Sequence, residues 1–424
     1  MSVLVSSLLV LTGAFAFLTN RDMFSPGKFY LISFGMFYAG ALVTPDDYEL
    51  WLLMLLVLLI GVATVCLEAG AARRIPPAAQ RPDRSVSTER NVALWIWLAS
   101  LPAIAAQVYI VHFFNGLEGY INMIGSRVIE TRGLGWAKTL TATILILDLM
   151  YFGIGLTRRR SKFWWALWGL HLLVVLAMGA LSGSRGSILT VFPLQLFLYH
   201  YLRRPVKIVY ALPIGLVLVG AAIVIGFIRQ GLQLEDGEVS TGLDTQDHEL
   251  SLSIFNYGVL PLKILLHAGD LQLANGSTLI SVLTNVIPRN FWPDKPDTGG
   301  VFFTKVYTGD EWEGASNLTP TFLGEGVINF GWLVGLVFFI VASLLLMWWL
   351  VRYYKRIQSR VARGIDAGVA IDVVLYGLVM WAAVALMVGE VTNTVQILVM
   401  TQVLPALVMK AVLVKKRAGR PASA

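Results

Sequence analysis

Charge is what this sequence has least of. Aspartate, glutamate, lysine and arginine make up only 14% of its 424 residues, 56% are hydrophobic, and the mean hydropathy is +0.70. A water-soluble globule needs far more charge to cover its surface, so that class is excluded. Cysteine is scarcer still. Cys66 stands alone, which rules out an internal disulfide, and no histidine or cysteine spacing matches a zinc site. A P-loop or other nucleotide motif is also missing. From these absences we expect no metal and no cofactor.

What the sequence does have is long apolar runs. A helix needs about 20 mostly apolar residues to cross a hydrocarbon core roughly 30 Å thick, at ~1.5 Å of rise per residue. Eleven segments meet that need, near 2 to 19, 29 to 44, 49 to 68, 92 to 113, 136 to 156, 163 to 181, 187 to 202, 208 to 228, 327 to 350, 367 to 389 and 395 to 413. The first has no basic residue before it and no small-residue cleavage site after it, so it reads as a retained helix rather than a signal peptide. Taking alternate loops as cytoplasmic gathers most of the basic residues, among them Lys28, Arg73, Arg74, Arg158 to Arg160, Arg203, Arg204, Arg352 and Lys415. The positive-inside rule then puts the N-terminus outside and the C-terminus in the cytoplasm. Topology and anionic lipid account for the net charge of +7, and no nucleic-acid partner is expected. With no internal repeat and no break in composition, residues 1–424 read as one all-α polytopic membrane unit of about 11 transmembrane helices.

On the outer face one sizeable segment remains, from about 229 to 318. Its first part, RQGLQLEDGEVSTGLDTQDHE, is polar and acidic and lacks the oxygen-ligand spacing of an EF-hand. The stretches LSLSIFNYGVLPLKILLHAG and STLISVLTNVI carry apolar residues at helical spacing, with Ser277 as the N-cap of the second. They read as short helices lying on the membrane or packed over the bundle. PRNFWPDKPDTGG is extended and broken by proline, and Thr319 with Pro320 starts a helix that runs into the ninth span.

Five arginines stay on this side: Arg127, Arg132, Arg185, Arg229 and Arg289. An arginine at the bilayer centre costs about 2.5 to 3.5 kcal/mol on insertion scales, so those in or near spans are usually paired or functional. Arg185 lies in ALSGSRGSILTV, a tight turn of serine and glycine. A guanidinium grips phosphate with two parallel bonds, and glycine lets the backbone approach a ligand, so the turn suits a lipid phosphate or diphosphate. The competing reading is an anchor to lipid headgroups. Arg127 and Arg132 have Glu130 between them to neutralise either one. Arg289 precedes Phe291 and Trp292, a setting for sugar stacking or for interfacial anchoring.

Among the acids, Asp46 and Asp47 read as the start of the third span. Glu325, in NLTPTFLGEGVINFGW, is placed nearly two turns past the N-cap, with Asn329 on its face and Gly324 and Gly326 leaving room for a substrate. An acid near the outer boundary can serve as a general base. Glu390, at the end of the tenth span, is the second base candidate. Asp148 and His171 lie within spans and read as buried polar partners.

Three of these stretches in this order, LSGSRGSIL between two spans, VIPRNFWPDKP in the large outer loop and LTPTFLGEGVINFGW before the next span, carry a resemblance. Together they resemble the bacterial O-antigen polymerase (Wzy-type) family of oligosaccharide repeat-unit polymerases, most clearly from about 163 to 393. The resemblance implies a glycosyltransferase C-like membrane enzyme of the bacterial inner membrane, with its large loop in the periplasm. Its substrates would be oligosaccharide repeat units carried on undecaprenyl diphosphate. Its partners would be membrane lipid and the flippase and chain-length regulator of the same pathway. Arg289 and Gly300 match once an arginine-to-glycine spacing that some members carry in two outer loops, whereas Arg127 and Arg132 do not match it.

The donor already bears a diphosphate leaving group, so the reaction needs a cation to stabilise that group and a base for the acceptor hydroxyl. On this expectation Arg185 holds the diphosphate and Glu325 takes the proton. Arg127, Arg132, Arg289, Trp292 and Glu390 then belong to substrate binding. An O-antigen ligase, which uses the same donor, is the nearest alternative. A transporter or flippase of lipid-linked sugars is the alternative of another class, disfavoured by charges gathered at the outer edge and by the lack of a repeat.

Overall fold

The computed structural model describes residues 1–69, 87–89, 91–123, 131, 133–182, 185–235, 238–241, 255–287, 289, 291–309 and 318–416. From the N-terminus the helices are α1 (Ser2–Thr19), α2 (Pro26–Phe37), α3 (Tyr48–Glu68), α4 (Val92–Phe113), α5 (Leu117–Met123), α6 (Gly135–Ala142) and α7 (Ile144–Leu156). Then come α8 (Lys162–Leu181), α9 (Arg185–Leu189), α10 (Val191–Leu202), α11 (Ile208–Gly231), α12 (Leu260–His267), α13 (Ser277–Thr284) and α14 (Gly299–Tyr307). The last are α15 (Thr321–Ala362), α16 (Ala367–Ala385), α17 (Val391–Gln396) and, after a π-helical turn, α18 (Leu404–Leu413). Among the described residues four short strands form two antiparallel ribbons, β1 (Ser87–Glu89) with β4 (Val414–Lys416) and β2 (Leu232–Glu235) with β3 (Glu238–Thr241).

Among the described residues, 8 helical segments are long and apolar enough to cross a membrane: α1, α3, α4, α6 with α7, α8, α15, α16, and Val391–Leu413. The protein is a polytopic helical membrane protein. The segments expected at 29 to 44 and 187 to 202 form helices of only 12 residues each, α2 and α10, or about 18 Å at the usual rise. For α2 the end is held by a residue distant in sequence. The Gly258 amide donates to the carbonyl of Phe37 at 3.1 Å and so closes the helix end, and the chain then tightens into a 3-10 turn at Ala39–Val43.

The contacts divide the chain into two compact units. One comprises Met1–Arg74, Glu249–Lys355 and Val379–Leu398; the other comprises Ile75–His248, Arg356–Leu378 and Val399–Ala424.

In the first unit α3 packs on α1 and α2, and its start bears out the reading of Asp47, whose side chain accepts from the Leu50 amide at 3.0 Å. Lys28, counted above as a cytoplasmic charge, is buried here and donates to the carbonyls of Asn20 and Asp22. The main departure from the sequence reading is α15, which consists of two arms. Gly331 has φ 74° and ψ 175°, a conformation open in practice only to glycine. The short arm, 321–330, folds back along the long arm, 332–362. Gly326 and Gly335 meet so closely that a Cβ on Gly326 would lie 2.7 Å from the Gly335 carbonyl oxygen. Deeper in the same hairpin the Phe322 ring meets Phe338 and Phe339 at 5.9 and 5.7 Å.

In the second unit α7 is nearly enclosed, with α8 and α10 against it, and α6 packs on α4. Arg360 and Lys410 both bond to Asp372. Aromatic residues fill its core, Tyr201 and Tyr376 meeting at 6.2 Å.

Candidate functional site

The short arm of α15 carries Glu325 into a polar core of the first unit. Its first residue, Thr321, has φ 67°, and the Thr321 Oγ1 accepts from the Gly324 amide at 3.1 Å, so Thr321 is the cap. Thr319, expected in that role, donates its hydroxyl to the Val388 carbonyl at 2.6 Å instead. Glu325 is fully buried. Its Oε2 accepts from the Val391 amide at 2.7 Å and its Oε1 from the Thr278 hydroxyl at 3.1 Å. Asn329 does share its face: Nδ2 donates to Thr278 Oγ1 and to the Glu325 carbonyl, both at 2.7 Å, while its Oδ1 is buried with no partner. The space beside Gly324 and Gly326, expected to admit a substrate, is taken by Leu265 and by the backbone at Gly335.

Glu390 joins the same core one residue before α17. It is 2% exposed, and its Oε2 accepts from the Gly300 amide at the start of α14. Burial pushes the Glu390 carboxyl above its ordinary range, against the opposing pull of the Gly300 amide and of Thr298. Each acid therefore meets the positive end of a helix, Glu325 at α17 and Glu390 at α14, where amides would otherwise lack acceptors. Gly299 lets α14 come this close, since a Cβ there would lie 2.7 Å from Glu325 Oε1.

The stretch between α13 and α14 is organised by a lysine the sequence reading passed over. Lys295 is 8% exposed, and its ammonium donates to the Asn285 carbonyl at 3.0 Å, to Asn285 Oδ1 at 3.2 Å and to the Ile287 carbonyl at 2.6 Å. Burial lowers its pKa, the nearby Arg289 adds to that, and Asp297 opposes it. Arg289 is half exposed, donates to the Pro293 carbonyl at 2.8 Å and pairs with Asp297, which also receives Lys305 at 2.8 Å. Two cations thus share one carboxylate, beside exposed Phe291 and Trp292. Ser277 does not cap α13, because Gly276, at φ 82°, holds that position.

The remaining candidates are less informative. Arg127 and Arg132 lie outside the described residues, as does the side chain of Arg185, whose backbone opens the five-residue helix α9.

The second unit holds a polar cluster of its own. Asp148 and His171, read as buried partners, bond through Oδ1 and Nδ1 at 3.1 Å. Ser100 and Gln195 complete it: Ser100 Oγ stands 2.9 Å from His171 Nε2, and Gln195 donates to Asp148 Oδ2 at 3.0 Å. Serine, histidine and aspartate in this order form the relay of acyl-transfer enzymes. Ser100 is fully enclosed, however, and its hydroxyl donates to the Ile96 carbonyl at 2.8 Å, so the cluster ties α4, α7, α8 and α10 together. Ser100 and Gln195 were visible in the sequence only as polar residues in apolar runs.

No family model, curated protein or solved structure matches this chain.

Proposed function

We propose that the protein is a glycosyltransferase that polymerises oligosaccharide repeat units carried on undecaprenyl diphosphate, in the inner membrane, with the large loop and the N-terminus in the periplasm. The observation that carries this reading is the surface at Arg289. Two cations against one carboxylate leave positive charge beside exposed Phe291 and Trp292, a match for a lipid with an anionic head. The resemblance of the sequence to repeat-unit polymerases supports the same reading. In the reaction an acceptor hydroxyl attacks the anomeric carbon of the donor sugar, the bond to the diphosphate oxygen breaks, and the lipid diphosphate leaves with its electron pair. Arg185 and Arg289 stabilise that leaving group. Glu325, fully enclosed at rest, takes the hydroxyl proton in an opened state in which Thr278 releases its Oε1 and Leu265 moves off Gly324, and Glu390 supports the acceptor side.

A carrier of lipid-linked sugars is the second reading, favoured by the break of α15 at Gly331 on the arm that carries the buried Glu325. One experiment separates the readings. Purified protein in proteoliposomes receives a single lipid-linked repeat unit as the only sugar substrate. Polymerisation gives products of two or more units. Consumption of donor only when a lipid A core acceptor is added identifies a ligase, and movement of donor across the bilayer with no new glycosidic bond identifies a carrier. Under the polymerase reading, Glu325→Gln retains donor binding and loses most product. Normal product from that variant reassigns Glu325 to holding the helices alone.

A further inference from the structure

We infer that α13, residues 285–287 and Phe291 dip into the bilayer leaflet where the Val391–Leu413 span begins, with lipid acyl chains covering their exposed face. The inference is independent of the proposed activity. It starts from which side of α13 faces the protein. Thr278, Ser281 and Asn285 form a polar stripe turned inward, with Thr278 and Ser281 fully buried. The opposite side is apolar and bare, with Ile280 55% and Leu283 77% exposed, and past the helix end Val286 is 54% and Phe291 84% exposed. A helix at a water boundary shows the reverse pattern. These exposures span the same range as those on the membrane-crossing arm of α15, where Leu333 is 80%, Val334 57% and Val337 54% exposed.

Depth follows from the neighbour of α13. The Thr392 hydroxyl donates to the Thr278 carbonyl at 3.0 Å, Ser281 and Thr392 hydroxyls bond at 2.6 Å, and Asn285 donates to Gln396 at 2.8 Å. The pairs advance together, so α13 runs beside α17 in the same direction. The Val391–Leu413 segment has 23 residues, or about 34 Å of helix against a hydrocarbon core of roughly 30 Å, which leaves only a turn or so for water. The end of α13 at Gln396 is therefore within the hydrocarbon.

Backbone carbonyls at that depth must be satisfied by the protein, because water cannot reach them. Lys295 does this. Its three donors go to the Asn285 carbonyl, the Asn285 side chain and the Ile287 carbonyl, at the end of the helix where a positive charge is favoured. Arg289, the charge in this stretch, pairs with Asp297 and keeps half of its side chain exposed, as a guanidinium at headgroup level does beside an apolar face. The partner of this face is thus lipid hydrocarbon.

The test uses the full chain with Cys66→Ala and single cysteines replacing Leu283, Phe291 or the exposed loop residue Asp270, spin-labelled in nanodiscs of phosphatidylethanolamine and phosphatidylglycerol. Labels at 283 and 291 are expected to collide more with oxygen than with a water-soluble nickel chelate, and the label at 270 to show the opposite ratio. Nickel access at 283 and 291 equal to that at 270 overturns the inference, as does low access to both quenchers, which marks a protein partner. If either substitution lowers the yield of folded protein, Ile280→Cys and Val286→Cys give the same readout from the same face.

Discussion

Glu325 and Glu390 each close a helix start inside a low-dielectric core, which makes the two residues unequal to surface acids of the same type. Glu325→Ala leaves the Val391 amide and the Thr278 hydroxyl without acceptors and should lower stability by about 3 kcal/mol. Glu325→Gln keeps one acceptor oxygen for Val391 and should cost about 1 kcal/mol. Thermal unfolding of both variants in one detergent checks the order, and equal losses would count against it. Glu390 carries a pH dependence. Burial raises its folded pKa above the ordinary value of about 4.3, so the folded state binds its proton more readily than the unfolded chain. Its contribution to stability is greatest below that ordinary value, declines as pH rises through the raised one, and is level beyond. Glu390→Gln should remove this decline from a melting-temperature profile, and parallel profiles for variant and wild type would refute the assignment. At this scale the sequence was partly legible. The shared face of Glu325 and Asn329 follows from helical spacing, whereas Thr278 joins them from 47 residues away by Glu325, a contact no local pattern announces.

Elements were legible by period but not by facing. The apolar spacing of α13 is plain in STLISVLTNVI, and so is the polar stripe of Thr278, Ser281 and Asn285. Which side turns inward depends on whether water or lipid lies outside, and the sequence alone carries no mark of that. The same holds for α15. LGEGVINFGW reads as one helix because a single glycine costs a helix only about 1 kcal/mol. The break becomes decisive through the contact of Gly326 with Gly335, which rewards the folded-back arm with close packing. Gly331→Ala places a Cβ in a conformation that strains it by about 1–3 kcal/mol. We expect a matching loss of thermal stability, with Gly335→Ala losing more because its Cβ would stand 2.5 Å from the Gly326 carbonyl oxygen. A Gly331→Ala variant as stable as wild type would mean that the two arms are held apart from this bend.

For the whole molecule, hydropathy reads well where helices are long. Among the described residues, eight of the eleven apolar segments recur as helices of crossing length, α2 and α10 are too short to be counted from length alone, and the segment at 208 to 228 forms α11, whose apolar stretch Ile208–Ala221 is also shorter than a span. Orientation rests on the basic loops and has a direct check. In a Cys66→Ala background, Ser240→Cys should react with a membrane-impermeant maleimide on intact cells stripped only of their outer membrane. Reaction only after the inner membrane is opened would reverse the topology.

The hairpin of α15 also sets an order of assembly during synthesis. The Glu325 carboxylate meets the Val391 amide across 66 residues, so the arm leaves the ribosome long before its partner exists. The long arm and α16 must enter the membrane first. Only after them can the first turns of the last span receive the carboxylate, and with it Thr278 and the rest of α13. A nascent chain halted before Val391 therefore holds the Glu325 Oε2 oxygen, the Ser281 hydroxyl and the Thr278 carbonyl without the partners that α17 brings, and the seating of this core is a late event that follows insertion rather than part of it.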